Sequence, residues 1–372
     1  MSKTSLYLRY GLYALVGLAV LGAGFLFIKN TNDLDRFLIN AILGLSVFVT
    51  LNTGLLSLAN AGFMAIGAYG SAIFIVKVGL PFPLAVLGAM VVCGLVGLII
   101  GLPVLHLSDV YLAIATLGFG EVVRVLIVTT PDLTGGATGA NLSTGFPYEQ
   151  MKQTQTWMLL VFLAILIYLF YFMARSKTGR AFRAIRQNAS AASTMGINVV
   201  FYRNLAFTIS AIIAGAGGAL YAGSVGSLDN NDFRFNKAVD ILSYAVLGGS
   251  THWFGPILGA GLLTALPIFL REVLGGSIEV IQNFTQLPNI INGALLMLVI
   301  IFLPGGLYAP SRGWSFRALF QRPKAEERKA TSDQLPAASQ NGDETKLPLS
   351  QPPSPDGQPL LELRGVRRTF GG

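Results

Sequence analysis

FPLAVLGAMVVCGLVGLIIGL, residues 82–102, runs for 21 residues without a charge. A helix of that length rises about 30 Å, the thickness of a bilayer's hydrocarbon core. Working outward, similar stretches occupy Tyr10–Ile28, Phe37–Leu51, Leu55–Val76, Val110–Val128, Trp157–Met173, Phe201–Val225, Phe254–Leu270 and Pro288–Leu303, with a shorter run at Val239–Gly249. Together with 53% hydrophobic composition and a mean hydropathy of +0.61, they exclude a soluble globular domain. The expected fold is all-α: a polytopic transmembrane helical bundle of about ten spans, or eight if the runs at 239–249 and 254–270 are re-entrant. Lys3 and Arg9 imitate a secretory leader, but the run behind them is about span length and no A-x-A site follows, so it reads as a retained first helix.

The net charge of +8 does not point to nucleic acid. Residues 1–310 hold 16 basic and 11 acidic side chains, mostly between the apolar runs, so the excess reads as membrane topology. The most basic loop is RSKTGRAFRAIRQNASAASTMGIN, 175–198, with five cations and no acidic residue. The positive-inside rule puts it in the cytoplasm, together with the basic segment 311–329. Loops 130–156 and 226–240, where Asp and Glu balance Lys and Arg, then face outward, and both termini are cytoplasmic.

Residues 311–372 carry 17 of the 44 charged side chains. The expected organisation is a transmembrane domain over 1–310 and a basic, then Pro/Ser-rich, disordered cytoplasmic linker over 311–359. A short alternating apolar segment, LLELRGVRRTFGG, follows at 360–372 and reads as the first strand of another domain.

Within the spans, Ser210, Ala214, Gly218 and Ala222 repeat every fourth residue, and Ala211, Gly215, Ala219 and Gly223 form a second ladder beside them. Small residues let helices approach closely where lipid gives them no hydrophobic reason to associate. LNTG (51–54), NAG (60–62) and GPILGAG (255–261) read as helix interruptions. Broken helices are tolerated at membrane depth only where protein or water covers the freed backbone groups. This makes Asn60, Gly62, Gly255 and Pro256 candidate lining of a substrate pathway.

Glu121 joins them because an ionised group inside a span costs about 2.5–3.5 kcal/mol and usually reflects a partner or a function. Arg124, three residues on, shares its helical face. His106 and His252 are too far apart to form a metal motif, Cys93 is a lone packing thiol, and no metal site is expected. TGGATGAN, 134–141, lacks the Lys-Ser/Thr of a P-loop and reads as a flexible outer loop able to close over an entrance. After Gly179 the basic loop predicts a short amphipathic helix with Phe182, Ile185 and Ala189 on one side and Arg180, Arg183 and Arg186 on others. A basic interfacial helix suits anionic lipid or a cytoplasmic partner equally.

SAASTMG, 190–196, resembles the E-A-A-x-x-x-G loop of bacterial ABC importer permeases, with Ser190 in place of the usual Glu. The wider stretch at 176–198 resembles the permeases of the branched-chain (hydrophobic) amino-acid uptake family. So do GLLSLANAGFMAIGAYG (54–70), ATLGFGEVVRVL (115–126), TGGATG (134–139) and LGGSTHWFGPILGA (247–260), where Thr251 replaces a more usual Gly. The resemblance covers roughly residues 35–310.

It implies a multi-pass permease subunit of the bacterial inner membrane, importing branched-chain or other hydrophobic amino acids. Its implied partners are a sister permease subunit, two ABC ATPase subunits and a periplasmic substrate-binding protein. ATP is expected to be used by the ATPases, with no cofactor bound by this chain. Gly179, Arg180, Arg183, Arg186, Ala191, Ala192 and Gly196 are the implied ATPase-coupling residues. The segment 360–372 resembles the start of the family's ATPase, in which Phe370 would stack on adenine. The chain has no Walker A motif, so no catalytic residue and no ATP hydrolysis of its own are expected. The alternatives are an ion-gradient-driven secondary transporter using Glu121, and an ABC permease for urea or short amides.

Overall fold

The computed structural model describes residues 31–107, 109–136, 139–141 and 148–275, with single positions at 293 and 297. The expected first and last spans, the linker and Phe370 lie outside these residues. The chain divides into two units, Met1–Gly313 and Trp314–Gly372, and only the first contains described residues.

Ten helices of more than one turn carry the described part: α1 (Thr31–Leu51), α2 (Asn60–Val76), α3 (Phe82–Val104), α4 (Asp109–Thr129), α5 (Tyr148–Arg175), α6 (Lys177–Gln187), α7 (Ala189–Thr194), α8 (Val199–Val225), α9 (Phe235–Gly248) and α10 (Phe254–Gly275). Extended pairing among the described residues is limited to β1 (Ala140–Asn141) against β2 (Ser227–Leu228), antiparallel. The fold is therefore the expected helical bundle. Among the described residues five helices, α1, α3, α4, α5 and α8, are long and apolar enough to cross a membrane. α2 and the apolar part of α10, Phe254–Ile268, are shorter.

The ladder-bearing helix α8 sits in the middle, against α1, α2 and α3. Asn198 caps its start by accepting from the Phe201 N–H at 3.0 Å, and Gly226, left-handed at φ 71°, ends it. A methyl group at Gly218 would overlap the Met64 carbonyl of α2, and one at Gly67 would overlap the Gly215 carbonyl of α8. Backbone therefore meets backbone along this seam, the use that the small-residue ladders predict. α9 and α10 form a similar glycine-mediated pair, with no room for a methyl at Gly248 or Gly259.

Of the expected interruptions, LNTG falls in a break between helices, whereas NAG and GPILGAG are helical. The first break spans residues 52–59, so Asn60 and Gly62 belong to the first turn of α2. Its backbone N–H groups find partners: Thr53 N–H donates to Thr50 O (3.0 Å), Leu55 N–H to Thr50 O (3.0 Å), Ala59 N–H to Ser57 Oγ (3.2 Å) and Leu58 N–H across to Thr116 Oγ1 of α4 (3.0 Å). Such pairing lets unwound chain persist away from water. The second covers 249–253, so Gly255 and Pro256 are buried in the first turn of α10. Proline fits there because the first helical N–H groups lack intrahelical partners.

Candidate functional site

The basic loop folds as two short helices, α6 and α7, separated by Asn188. Ser176 caps α6 by accepting from the Gly179 N–H at 3.1 Å. Gly179, Ala181, Phe182 and Ile185 are buried, so the predicted apolar face is the one that meets the bundle. Ala189 does not continue that face: the extended backbone of Asn188 (φ −161°) ends α6, and the Asn188 side chain restarts the chain as α7 by accepting from the Ala191 N–H at 3.0 Å. Gly179 lies against the Met173 carbonyl of α5, where a methyl would overlap.

Most of the cations have local partners that composition alone did not reveal. Arg175 stacks over the Tyr171 ring at 4.3 Å. Arg180 and Arg183 donate to the carbonyls of Arg175 and Ala174, each at 3.0 Å, satisfying acceptors that the C-terminus of α5 leaves open. Arg186 reaches the second interruption, donating from Nη2 to Ser250 Oγ at 2.7 Å and from Nη1 to the Ser250 carbonyl. Its Cα also lies where a Gly54 Cβ would be 3.5 Å away, and Gly54 is left-handed at φ 77°. One arginine thus touches both helix interruptions.

α7 and the turn after it project from the bundle. Ser190, Ala191, Ser193 and Thr194 are exposed, Met195 is 83% exposed, and Ala192 is buried and anchors the segment. Gly196, at φ +81°, has no neighbour around its Cα that a side chain would meet. The result is a small-residue knob with one large apolar tip.

The pathway candidates do not converge on one opening. Asn60 is 2% exposed and joins three helices, donating to Ser46 Oγ (2.7 Å) on α1 and Ser210 Oγ (2.9 Å) on α8. Its partners lie 14 and 150 residues away, and sequence spacing gave no signal of them. Gly62 faces Gly120 of α4, where a methyl added to Gly62 would come within 2.9 Å of the Gly120 Cα. Glu121 accepts from Arg124 Nε at 2.9 Å and from Nη2, forming the i,i+3 pair that their spacing allows.

Glu121 lines a cleft of about 20 Å³, with Leu58 of the unwound segment, Ala61 of α2, Leu117 and Gly120 of α4, Phe233 and Arg234 of the turn before α9, and Phe235 and Ala238 of α9. Phe233, Arg234 and Phe235 had carried no functional signal in the sequence.

At the opposite end of the bundle from the basic loop, the described end of TGGATGAN, residues 139–141, is tied down. Ala140 pairs with Leu228 and Asn141 with Ser227. Asp229, on the partner loop, accepts from the Asn231 N–H at 3.0 Å, which holds its carboxyl below the usual range. Lys77 donates to the Asp132 carbonyl at the same end. Among the described residues no group of His, Cys, Asp and Glu has a metal-binding arrangement.

Residues 32–303 match the family described as branched-chain amino acid transport system / permease component. The chain is 31% identical over 329 residues to the high-affinity branched-chain amino acid transport system permease protein LivM of Salmonella typhimurium, covering 80% of this chain and 75% of that one. It is 31% identical over 330 residues to LivM of Escherichia coli K12, with the same coverage. To the LivH permease protein of Escherichia coli K12 it is 29% identical over 180 residues, 48% of this chain and 55% of that one. No solved structure matches. With its helical bundle, its basic elbow and a family match over most of its length, the chain belongs to the branched-chain amino acid transport permease family.

Proposed function

We propose that this chain is one of two permease subunits of an ATP-driven importer of branched-chain or other hydrophobic amino acids in the bacterial inner membrane. The match over residues 32–303 carries the reading. The sister subunit would be a LivH-like permease, since both LivM and LivH are relatives. Two ATPase subunits supply the work, a periplasmic protein delivers the substrate, and the termini and basic elbow face the cytoplasm. ATP is bound and hydrolysed by the partners.

In this reading the knob formed by Ser190, Ala191, Ser193, Thr194, Met195 and Gly196 docks in a groove of an ATPase. Its displacement passes through α6 to Arg186, which holds Ser250 and lies against Gly54. Both interruptions are points where a helix bundle can bend without breaking regular hydrogen bonding. A push on the elbow therefore has a physical route to the substrate-bearing part of the bundle.

The test is uptake of labelled leucine into proteoliposomes containing the chain, its sister permease, candidate ATPases and the binding protein. Wild type should accumulate leucine only with ATP. Gly196→Asp, which places a charged side chain on the left-handed knob, should abolish uptake while leaving the membrane-embedded pair assembled. Arg186→Ala should keep ATPase binding and lower leucine moved per ATP. Normal ATP-dependent uptake by Gly196→Asp would falsify the docking role. Uptake of urea or short amides in place of leucine would move the substrate assignment, and uptake driven by an ion gradient without ATP would replace the mechanism.

A further inference from the structure

We propose that the cleft beside Glu121 is the intramembrane station for a zwitterionic aliphatic amino acid, with Glu121 receiving the ammonium and Arg234 the carboxylate. The inference rests on the permease reading and names the groups of this chain that would hold the cargo.

At neutral pH an amino acid carries both charges, and moving either unpaired through an apolar interior is costly. A transit site for it therefore needs one group of each sign beside an apolar wall. The cleft has this composition. Leu58, Leu117, Phe233 and Phe235 supply the wall, and Glu121 and Arg234 are its charged residues.

Both groups have capacity to spare. Arg124 directs its two bonds to Oε1 of Glu121, and among the described residues no donor reaches Oε2. Arg124 therefore occupies one carboxylate oxygen and leaves the other for a second cation. Among the described residues Arg234 forms no ion pair, so its planar fork of donors is open to a carboxylate.

The depth is suitable too. Glu121 lies 12 residues into α4, roughly 18 Å along a helix of about 30 Å. Leu58 belongs to the unwound 52–59 segment, and Phe233 ends a 3-10 turn, so two walls stand on backbone that is not locked into an α-helix. The present volume of about 20 Å³ suits roughly one water. An amino acid is therefore admitted only when those two walls part, while Glu121 and Arg234 are already exposed at the cleft's rim.

The experiment uses the complete reconstituted complex and measures leucine uptake together with ATP hydrolysis. Glu121→Gln and Arg234→Gln should each lower leucine moved per ATP by about tenfold, the worth of one charge-assisted hydrogen bond. Stimulation of ATP hydrolysis by the loaded binding protein should stay near wild type, and Arg234→Lys, which keeps the charge but not the fork, should restore part of the uptake. Unchanged uptake per ATP in both glutamine variants overturns the site.

Because Glu121→Gln also loosens Arg124, a second measurement uses the unaltered complex. A diazirine analogue of leucine, activated during turnover, should label peptides containing Leu58, Leu117 or Phe235, and excess leucine should suppress the labelling. Suppressible label found only elsewhere overturns the site while leaving the permease reading intact. A wild-type complex that takes up no leucine defeats that reading and this one together.

Discussion

α5 and α8 are both long enough to cross a bilayer, yet they occupy opposite environments. The span in α5, Thr154–Arg175, has a mean hydropathy of 2.5 and is 17% buried, whereas α8 has a mean hydropathy of 1.7 and is 72% buried. The more hydrophobic helix is the more exposed one. In water the order would be reversed, because apolar surface is driven inward. In lipid that drive is absent, and what earns a central place is close packing and polar complementarity. α8 has the small residues and Ser210 for this. α5 turns Val161, Ile165, Tyr168, Leu169 and Phe172 outward.

The contrast can be broken most forcefully at Gly218. Gly218→Leu would drive a side chain into the Met64 backbone and should destabilise the bundle by about 3 kcal/mol or more, seen as loss of monodisperse protein after detergent extraction. Next comes Ile165→Lys on α5. If this face meets lipid, the charge should cost about 2.5–3.5 kcal/mol at mid-helix and lower membrane insertion; normal insertion would show that the face is wet or paired.

Asn60→Ala should cost about 1–2 kcal/mol in detergent unfolding, and its effect should fail to add to that of Ser210→Ala because the two share a bond. Least disruptive is Ile165→Ala, which leaves no cavity in the core and should change stability by under about 0.5 kcal/mol. A large effect there would mean that the outward face of α5 is an obligate protein contact.

These residues also mark how far the sequence could be read. Long uncharged runs announce spans because bilayer thickness fixes their length, and the ladders on α8 announce a close seam because glycine and alanine have little else to offer there. The amphipathic α6 was legible through Phe182 and Ile185. Asn60 was not: beside two glycine-bearing segments it suggested an opening, while its partners on α1 and α8 are visible only when the chain is folded. Gly255 and Pro256 misled for a related reason, since the same residue types serve an interruption and the first turn of a helix. Arg186 stood in the sequence only as one of three coupling arginines and Arg234 as a loop cation, and geometry alone shows the first bonded to Ser250 and the second lining a cleft.

At the middle of the seam between α2 and α8, around Gly67 and Gly218, glycine on one helix rests on carbonyl groups of the other, with no side chain between them. Side-chain contacts can adapt by changing rotamer, but a contact made of main chain keeps its register or is lost altogether. α2 and α8 should therefore travel as one stiff keel. Whatever alternation this protein performs must be absorbed around that keel, at the unwound segments and the outlying helices, and its centre should look nearly the same in every state of the cycle.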